Sequence, residues 1–468
     1  TDGRVTIWSA TQSIFNVRSS TAAIIGVPES RVNVIPMEIG GGFGGKNSFY
    51  LEPVAAVLSR KTGHPVKMVM TRKEVFEGTA PGCASLMRVK MGADRSGRIT
   101  AAQFYLAYEA GAFPGSSVGG GATNGTGPYN IDNQLIDAYD VVCNKQKTGS
   151  YRAPGQSQAN FAIETVVNEL AERLHMDPLE FRLKNVVQEG NRMPTGVPLP
   201  RIGLKELEET MKAHPHYSAP LNGPNRGRGV AVATRNHGGQ GSPATMIVNP
   251  DGTVNLVTGA VDLSGTRTTV AMQAAEVLGL AAEDVIPTVA DTNSVALTGG
   301  SGGSRITFDT GLAAIAAAQE VIRQMSARAA LLWEVQPEDV DFRDGVFICT
   351  RSQADRITFK ELAGKLSSTG GPVICSVYTP TTGVGPSVAG NIVDVEVDPE
   401  TGKVDILRYT AFMDAGQAVH PGYVEGQMQG ATAQGIGWAL NEEYFYNENG
   451  AIVNSSFLDY RMPTALDL

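Results

Sequence analysis

The chain predicts an α+β fold in two parts, and three observations predict it. Short β-branched runs are interspersed with stripes of helical spacing. Glycine is in excess and falls in clusters. A turn-rich stretch separates two regions of similar size. With 468 residues, 42% of them hydrophobic and 18% charged, the chain has enough apolar side chain for more than one core.

The strands are expected at residues 4–8, 32–37, 253–258, 391–397 and 403–409, where β-branched residues alternate with polar ones. The clearest helical stripe is Ile163, Val167, Leu170 and Leu174, which share one face. Further helices are expected at 268–280 and 310–332. The second of these holds the longest apolar run, but Gln319, Glu320, Arg323, Gln324 and Arg328 interrupt it, so it is expected not to span a bilayer.

The 54 glycines compare with roughly 33 at average usage. They cluster at 40–45, 119–127, 238–241, 299–303 and 426–437, read as loops whose bare backbone can approach a ligand closely. In the second region a helix is expected after each such loop. The stretch 214–229, HPHYSAPLNGPNRGRG, is the best linear boundary, giving one domain at 1–220 and a second at 221–468.

A formal charge of −9 without a basic run argues against a nucleic-acid partner. Cys83, Cys143, Cys349 and Cys375 are scattered, so neither an iron–sulfur cluster nor a zinc site is expected on this chain. They read as reduced thiols of a cytoplasmic protein. The opening TDGRVTIWSATQ has no signal-peptide character, and both ends read as those of a fragment or of one piece of a split subunit, truncated in its second domain.

Gly40–Lys46, GGGFGGK, fits the phosphate-loop pattern of an ATPase when read alone. Asn47 then stands where magnesium needs Ser or Thr, and Ser48 comes one place too late.

In a longer frame the same residues carry more. Thr11-Gln12, IGVPESRVNV at 25–34, IGGGFGGK at 39–46, SYRAPG at 150–155, ETVVNELAERLHMDPLEFRLKN at 164–185, TGAVDLSGT at 258–266, GGSGGSR at 299–305 and VEGQMQGATAQGIG at 424–437 follow one another in order. In order and spacing they resemble the large subunit of the xanthine oxidase and aldehyde oxidoreductase family, over essentially the whole chain. The resemblance implies two intertwined molybdopterin-binding domains with mixed sheets and glycine-rich cofactor loops. It also implies molybdenum held by the pterin dithiolene, in the simple or cytosine dinucleotide form, with no protein ligand to the metal. Protein groups then position and polarise a cofactor that carries the chemistry.

Carried over residue by residue, Gln12 is implied to approach an oxygen on molybdenum, and Gly42, Phe43 and Gly44 to lie against the metal centre. Arg152 and Ala153 are implied to line the active-site loop. Ser301, Gly302, Gly303 and Ser304 would hold the pterin or its phosphate tail, and Gln427 and Gln434 would contact the cofactor. Gln12 and Arg152 are the candidates for a catalytic role. Each of these residues also has a bland reading, as a polar group bonded to backbone or as a turn residue.

Asn47 and the short run GGGATNGTG before Tyr129 depart from purine-oxidising members. Ala153 departs from the copper-binding cysteine of carbon monoxide dehydrogenases, and Gly265 from a family glutamine. The family's general-base glutamate lies downstream of the block matching 457–463, and no residue of this chain takes its place. The expected activity is oxidative hydroxylation of an N-heteroaromatic or an aldehyde. It would be carried out with partners bearing [2Fe-2S] clusters and FAD and with a chain or segment supplying the glutamate. The alternative is a non-catalytic cofactor-binding or assembly module.

Overall fold

The computed structural model describes residues 3–381 and 385–467. The chain forms two compact units, each built from two segments: 1–69 with 238–383, and 70–237 with 384–468. This spatial partition differs from the linear division at residue 220, because a turn-rich boundary marks where the chain bends and not where strands find partners. Strand Arg226–Arg235 pairs with Ser387–Val397, about 160 residues onward, and so belongs with the first region's helices.

In the first unit, Val5–Ser9 pairs in parallel with Val32–Pro36, and helix Ile14–Ile25 joins them. A parallel pair needs such a crossover. Ile7, Ile14, Val17, Val32 and Val34 form the small core beneath. A four-stranded sheet follows in the order Ile374–Thr379, Ser242–Val248, Val254–Thr258, Val285–Val289. Helices Thr266–Leu278 and Gly311–Trp333 pack together, with Ala274 and Ala275 of one and Ala313, Ala314, Ala317 and Ala318 of the other buried in one cluster. Small side chains let two helices approach closely. A π-helical turn, Ile306–Thr310, leads into the longer helix.

In the second unit, a sheet in the order Ser85–Ala93, Ile99–Gly111, Gln134–Val142 and another in the order Val404–Asp414, Ser387–Val397, Arg226–Arg235 are bridged by helix Gln156–Arg173. Its Glu164 is a buried hub. The carboxylate accepts from the Tyr129 hydroxyl, from Arg182 Nε and Nη2 at 3.2 and 2.8 Å, and from the Val232 amide at 2.8 Å. Arg182 is fully buried and also donates to Val230 O at 3.1 Å. Full satisfaction of both charges is what makes such a pair tolerable in a core.

The expected strands and helices are present, most with shifted ends. Three expectations about glycine clusters are corrected. Residues 238–241 run into a strand, Ser242–Val248, and not into a helix. The cluster at 119–127 is largely helical, Val118–Asn124, because a Cβ at Gly120 would strike Pro154 O and one at Gly121 would lie 2.9 Å from Gly155 O. The cluster at 426–437 lies inside helix Pro421–Leu440, which has Pro at its start and a cap from the His420 ring. In the first helix Gly120 and Gly121 permit close approach, and in the second Gly437 does; both helices form despite the low helix propensity of glycine. Among the described residues no helix is long and apolar enough to cross a membrane.

Glu208, on helix Leu204–Ala213, is fully buried beside the Glu164–Arg182 pair with neither carboxylate oxygen bonded. Burial, reinforced by Glu164 against the attraction of Arg182, pushes its pKa up to about 8. The folded chain then keeps a proton that the unfolded chain has already released, so this residue lowers stability progressively from about pH 4.5 to about pH 8 and no further above it. Glu208→Gln is expected to remove that slope and raise the melting temperature at pH 8 by roughly 3–10 °C, with little change at pH 5. Thermal unfolding of both proteins at the two pH values checks this, and parallel pH dependences would refute it.

Candidate functional site

In the first unit, three motifs far apart in sequence meet at Gln12. Its side chain is buried, and its Oε1 accepts from the amides of Gly44 at 3.0 Å and Lys46 at 3.2 Å. Its Nε2 donates to Ser301 O at 2.7 Å, and its own carbonyl accepts from the Ser301 amide at 2.8 Å. Glycine at 42 is required here, since a Cβ would sit 2.5 Å from Gln12 Oε1. Phe43 and Gly44 both take positive φ, at 52° and 108°, and Phe43 is half exposed.

The loop 299–305 is shaped by Arg305, which sequence reasoning quoted within GGSGGSR but gave no role. Its buried guanidinium donates to Gly300 O at 2.9 Å, Gln240 O at 3.1 Å and Gly299 O, and it pairs with Asp309 at 3.5 Å. Asp309 in turn accepts the Gln240 amide at 2.9 Å. An arginine inside a glycine-rich run was the available signal, because glycine loops lack side chains of their own to hold them. Desolvation lowers the Arg305 pKa while Asp309 opposes it.

A cleft of about 340 Å³ opens beside this loop, lined by Ser13, Asn16, Asn47, Gln240, Arg305 and the glycines at 238, 239, 300, 302 and 303. No carboxylate is among these lining residues. Gly302 and Gly303 are among its lining residues. Ser301 does not line it: its hydroxyl turns inward to Val261 O at 2.5 Å. Ser304, at φ 57°, is exposed and also outside the lining. The segment after the loop is the π-helical turn, so no α-helix N-terminus follows it directly.

The phosphate-loop reading of GGGFGGK fails on geometry. Helix Glu52–Thr62 begins six residues after Lys46, and the Lys46 amine, its pKa lowered by burial, donates to Ile39 O at 2.6 Å. A nucleotide loop runs straight into its helix and aims that amine at phosphate.

In the second unit, Arg152 is clamped by the Pro421–Leu440 helix. Nη1 donates to Gln434 Oε1 at 2.9 Å, and Nη2 to Gln427 O and Oε1 at 2.9 and 3.1 Å. The two glutamines are seven apart and share a helix face. Ala153 at φ 54° and Gly155 at φ 75° form the turn into helix Gln156–Arg173, where the Tyr108 hydroxyl donates to Gly155 O at 2.8 Å. A Cβ at Gly155 would strike Ser117 O. Tyr151 packs on Trp438 with ring centroids 4.9 Å apart.

Comparison with known proteins agrees with this arrangement of motifs. Two models of the molybdopterin cofactor-binding domain match residues 1–186 and 204–468. The chain is 30% identical to the xanthine dehydrogenase molybdenum-binding subunit of Escherichia coli O157:H7, over 100% of this chain and 65% of that protein. It is 28% identical to the nicotine 6-hydroxylase large subunit of Paenarthrobacter nicotinovorans, over 99% and 62%. The crystal structure of quinoline 2-oxidoreductase from Pseudomonas putida 86 superposes with a TM-score of 0.89 at 26% identity, over 99% of this chain and 64% of that one. The chain thus spans about two thirds or slightly less of these relatives.

If Gln12 is the fastener of the first unit, removing it strands two amides and a carbonyl. Gln12→Ala is expected to cost about 2–4 kcal/mol in denaturant unfolding, and Gly42→Ala a similar amount through the Cβ clash. Wild-type midpoints in both variants would refute the role.

Proposed function

This chain belongs to the molybdopterin cofactor-binding family of xanthine dehydrogenase and aldehyde oxidoreductase large subunits, and from that premise we propose that it is the cofactor-holding part of a molybdenum hydroxylase. The reaction proposed is oxidative hydroxylation of an N-heteroaromatic or an aldehyde. The oxygen derives from water, and the electrons pass to [2Fe-2S] and FAD centres on partner chains.

The observation that carries this reading is the cleft beside 299–305. Its wall is bare glycine backbone, the amides of Asn16, Asn47 and Gln240, and one guanidinium. Such a surface suits a flat, heteroatom-rich pterin with an anionic phosphate tail, in either the simple or the cytosine dinucleotide form, and it presents no carboxylate to repel the tail. Asn16 and Asn47 are further bound together, Asn16 Nδ2 donating to Asn47 O at 3.0 Å.

When bound, the molybdenum would accept two electrons and furnish the oxygen-transfer chemistry. The chain's own residues do the positioning. Gln12 holds the 42–46 and 301 backbones together, with the half-exposed Phe43 standing on that loop. Arg152, held by Gln427 and Gln434 and partly desolvated, keeps its charge at a fixed place beside Ala153, where it can stabilise negative charge developing on a substrate. The general-base glutamate is proposed to come from a completing chain or segment.

Two outcomes test this on the complex purified from its native source. About one molybdenum and one pterin per chain are expected by elemental analysis and by fluorescence of the released oxidised pterin. Asn47→Asp should lower both by roughly tenfold and Asn47→Gln should not, because only the aspartate places negative charge in the cleft. Neither group in a well-folded sample would overturn the reading. In dye-linked assays an azine or aldehyde should be oxidised while xanthine is inert, and rapid xanthine turnover would overturn the substrate class.

A further inference from the structure

Arg235 ends strand Arg226–Arg235, and no motif accounts for it. Its guanidinium is only partly exposed, and no hydrogen bond or ion pair holds it among the described residues. Desolvation alone depresses its pKa, with no carboxylate opposing it. Other arginines withdrawn from water have partners: Arg182, Arg228, Arg267 and Arg305 each meet an acid, Arg152 meets two glutamines, and Arg18 and Arg328 donate to backbone carbonyls. A cation withdrawn from water without a counter-charge is a standing cost that a bound anion would relieve.

The position of Arg235 says which anion. Residues on both sides of it are fastened to the supports of the SYRAPG loop. Thr234 O accepts the side-chain amide of Gln156, the first residue of the helix that follows that loop. Asn236 Nδ2 donates to Asn124 Oδ1 at 2.7 Å, on the short helix whose Gly120 and Gly121 lie against Pro154 O and Gly155 O.

Register fixes its face. Arg235 lies opposite Ser387, on the side of the sheet away from the buried Val388 and Ile392. On that same side Val393 lies opposite Tyr409, whose hydroxyl bonds Thr432 of helix Pro421–Leu440. Arg235 thus shares a face of the sheet with the helix that clamps Arg152.

We infer that Arg235 reads the substrate, its guanidinium pairing with a carboxylate that the azine or aldehyde carries. A planar fork of donors matches a carboxylate two bonds at a time. The inference rests on the hydroxylase reading above and narrows it to anionic substrates.

The test uses the intact complex with matched pairs: an azine against its ring carboxylate, and benzaldehyde against 4-carboxybenzaldehyde. Arg235→Gln is expected to raise KM for the carboxylated member about 10- to 100-fold and to change the neutral member less than about twofold. Arg235→Lys should recover part of the loss, and molybdenum and pterin contents should stay at wild-type levels. Equal effects on both members would overturn the inference. Loss of pterin with the variant would also overturn it, and would assign the anion to the cofactor's phosphate. A second readout needs no turnover: phenylglyoxal should modify Arg235 in the wild-type complex, and benzoate should protect it, followed by peptide mass spectrometry. If the complex oxidises neither member of either pair, the hydroxylase reading fails, and the labelling alone then decides whether Arg235 is a carboxylate site.

Discussion

A backbone without side chains cannot hold itself in place, and the first unit meets that constraint with one carboxamide. The loop at 40–47 needs glycine so that it can pass beside Gln12, and glycine leaves it with little to pack. Gln12 supplies what the loop lacks. One oxygen gathers two amides of the 42–46 turn, one nitrogen takes the Ser301 carbonyl, and the Gln12 main chain pairs again with Ser301. Only a side chain with a donor and an acceptor can serve both loops, so a glutamate would satisfy one and strand the other, and a leucine would strand both. The resemblance implied a Gln12 amide turned toward the metal. In the structure that amide is engaged with backbone, which makes its positioning of the loops the firmer part of its role.

The second unit uses charge where the first uses an amide. Glu164 collects four donors from three separate segments, and the strand bearing Arg235 is registered on the Gln156–Arg173 helix through Val232, Val230 and Thr234. Neighbouring Glu208 has neither oxygen bonded, and burial above all raises its pKa, with Glu164 adding to the shift against the attraction of Arg182. Stability and site geometry are linked here, because the helix anchored by Glu164 starts at the Arg152 turn.

Periodicity made the strands and the long helices legible, since Val/Ile alternation and the Ile163–Leu174 stripe are consequences of local geometry. Glycine clusters were ambiguous. At 299–303 glycine marks a loop open to a cleft, but at 118–124 it lies in a helix pressed against the 154–155 backbone, and at 421–440 in a helix where Gly437 alone is tightly crowded, by the Glu442 and Pro463 side chains. A glycine cluster by itself does not say whether a ligand, the protein itself or open solvent takes the space a Cβ would fill. The two-segment units were not legible in the sequence for a similar reason: long-range strand pairing leaves no trace in local composition.

Motif comparison finds residues that a family shares, and it therefore passed over Arg305 and Arg235 for opposite reasons. Arg305 has every donor direction answered, by three carbonyls and Asp309, and its work is to shape a loop. Arg235 has none answered among the described residues and is partly withdrawn from water. Both are positive charges taken out of solvent, and the difference in satisfaction separates scaffold from recognition. A folded chain keeps an unanswered, half-buried cation only against the cost of desolvating it. The residues flanking Arg235 are fixed to the same supports as the Arg152 turn, which is why the group inferred to answer it is one that binds at that turn.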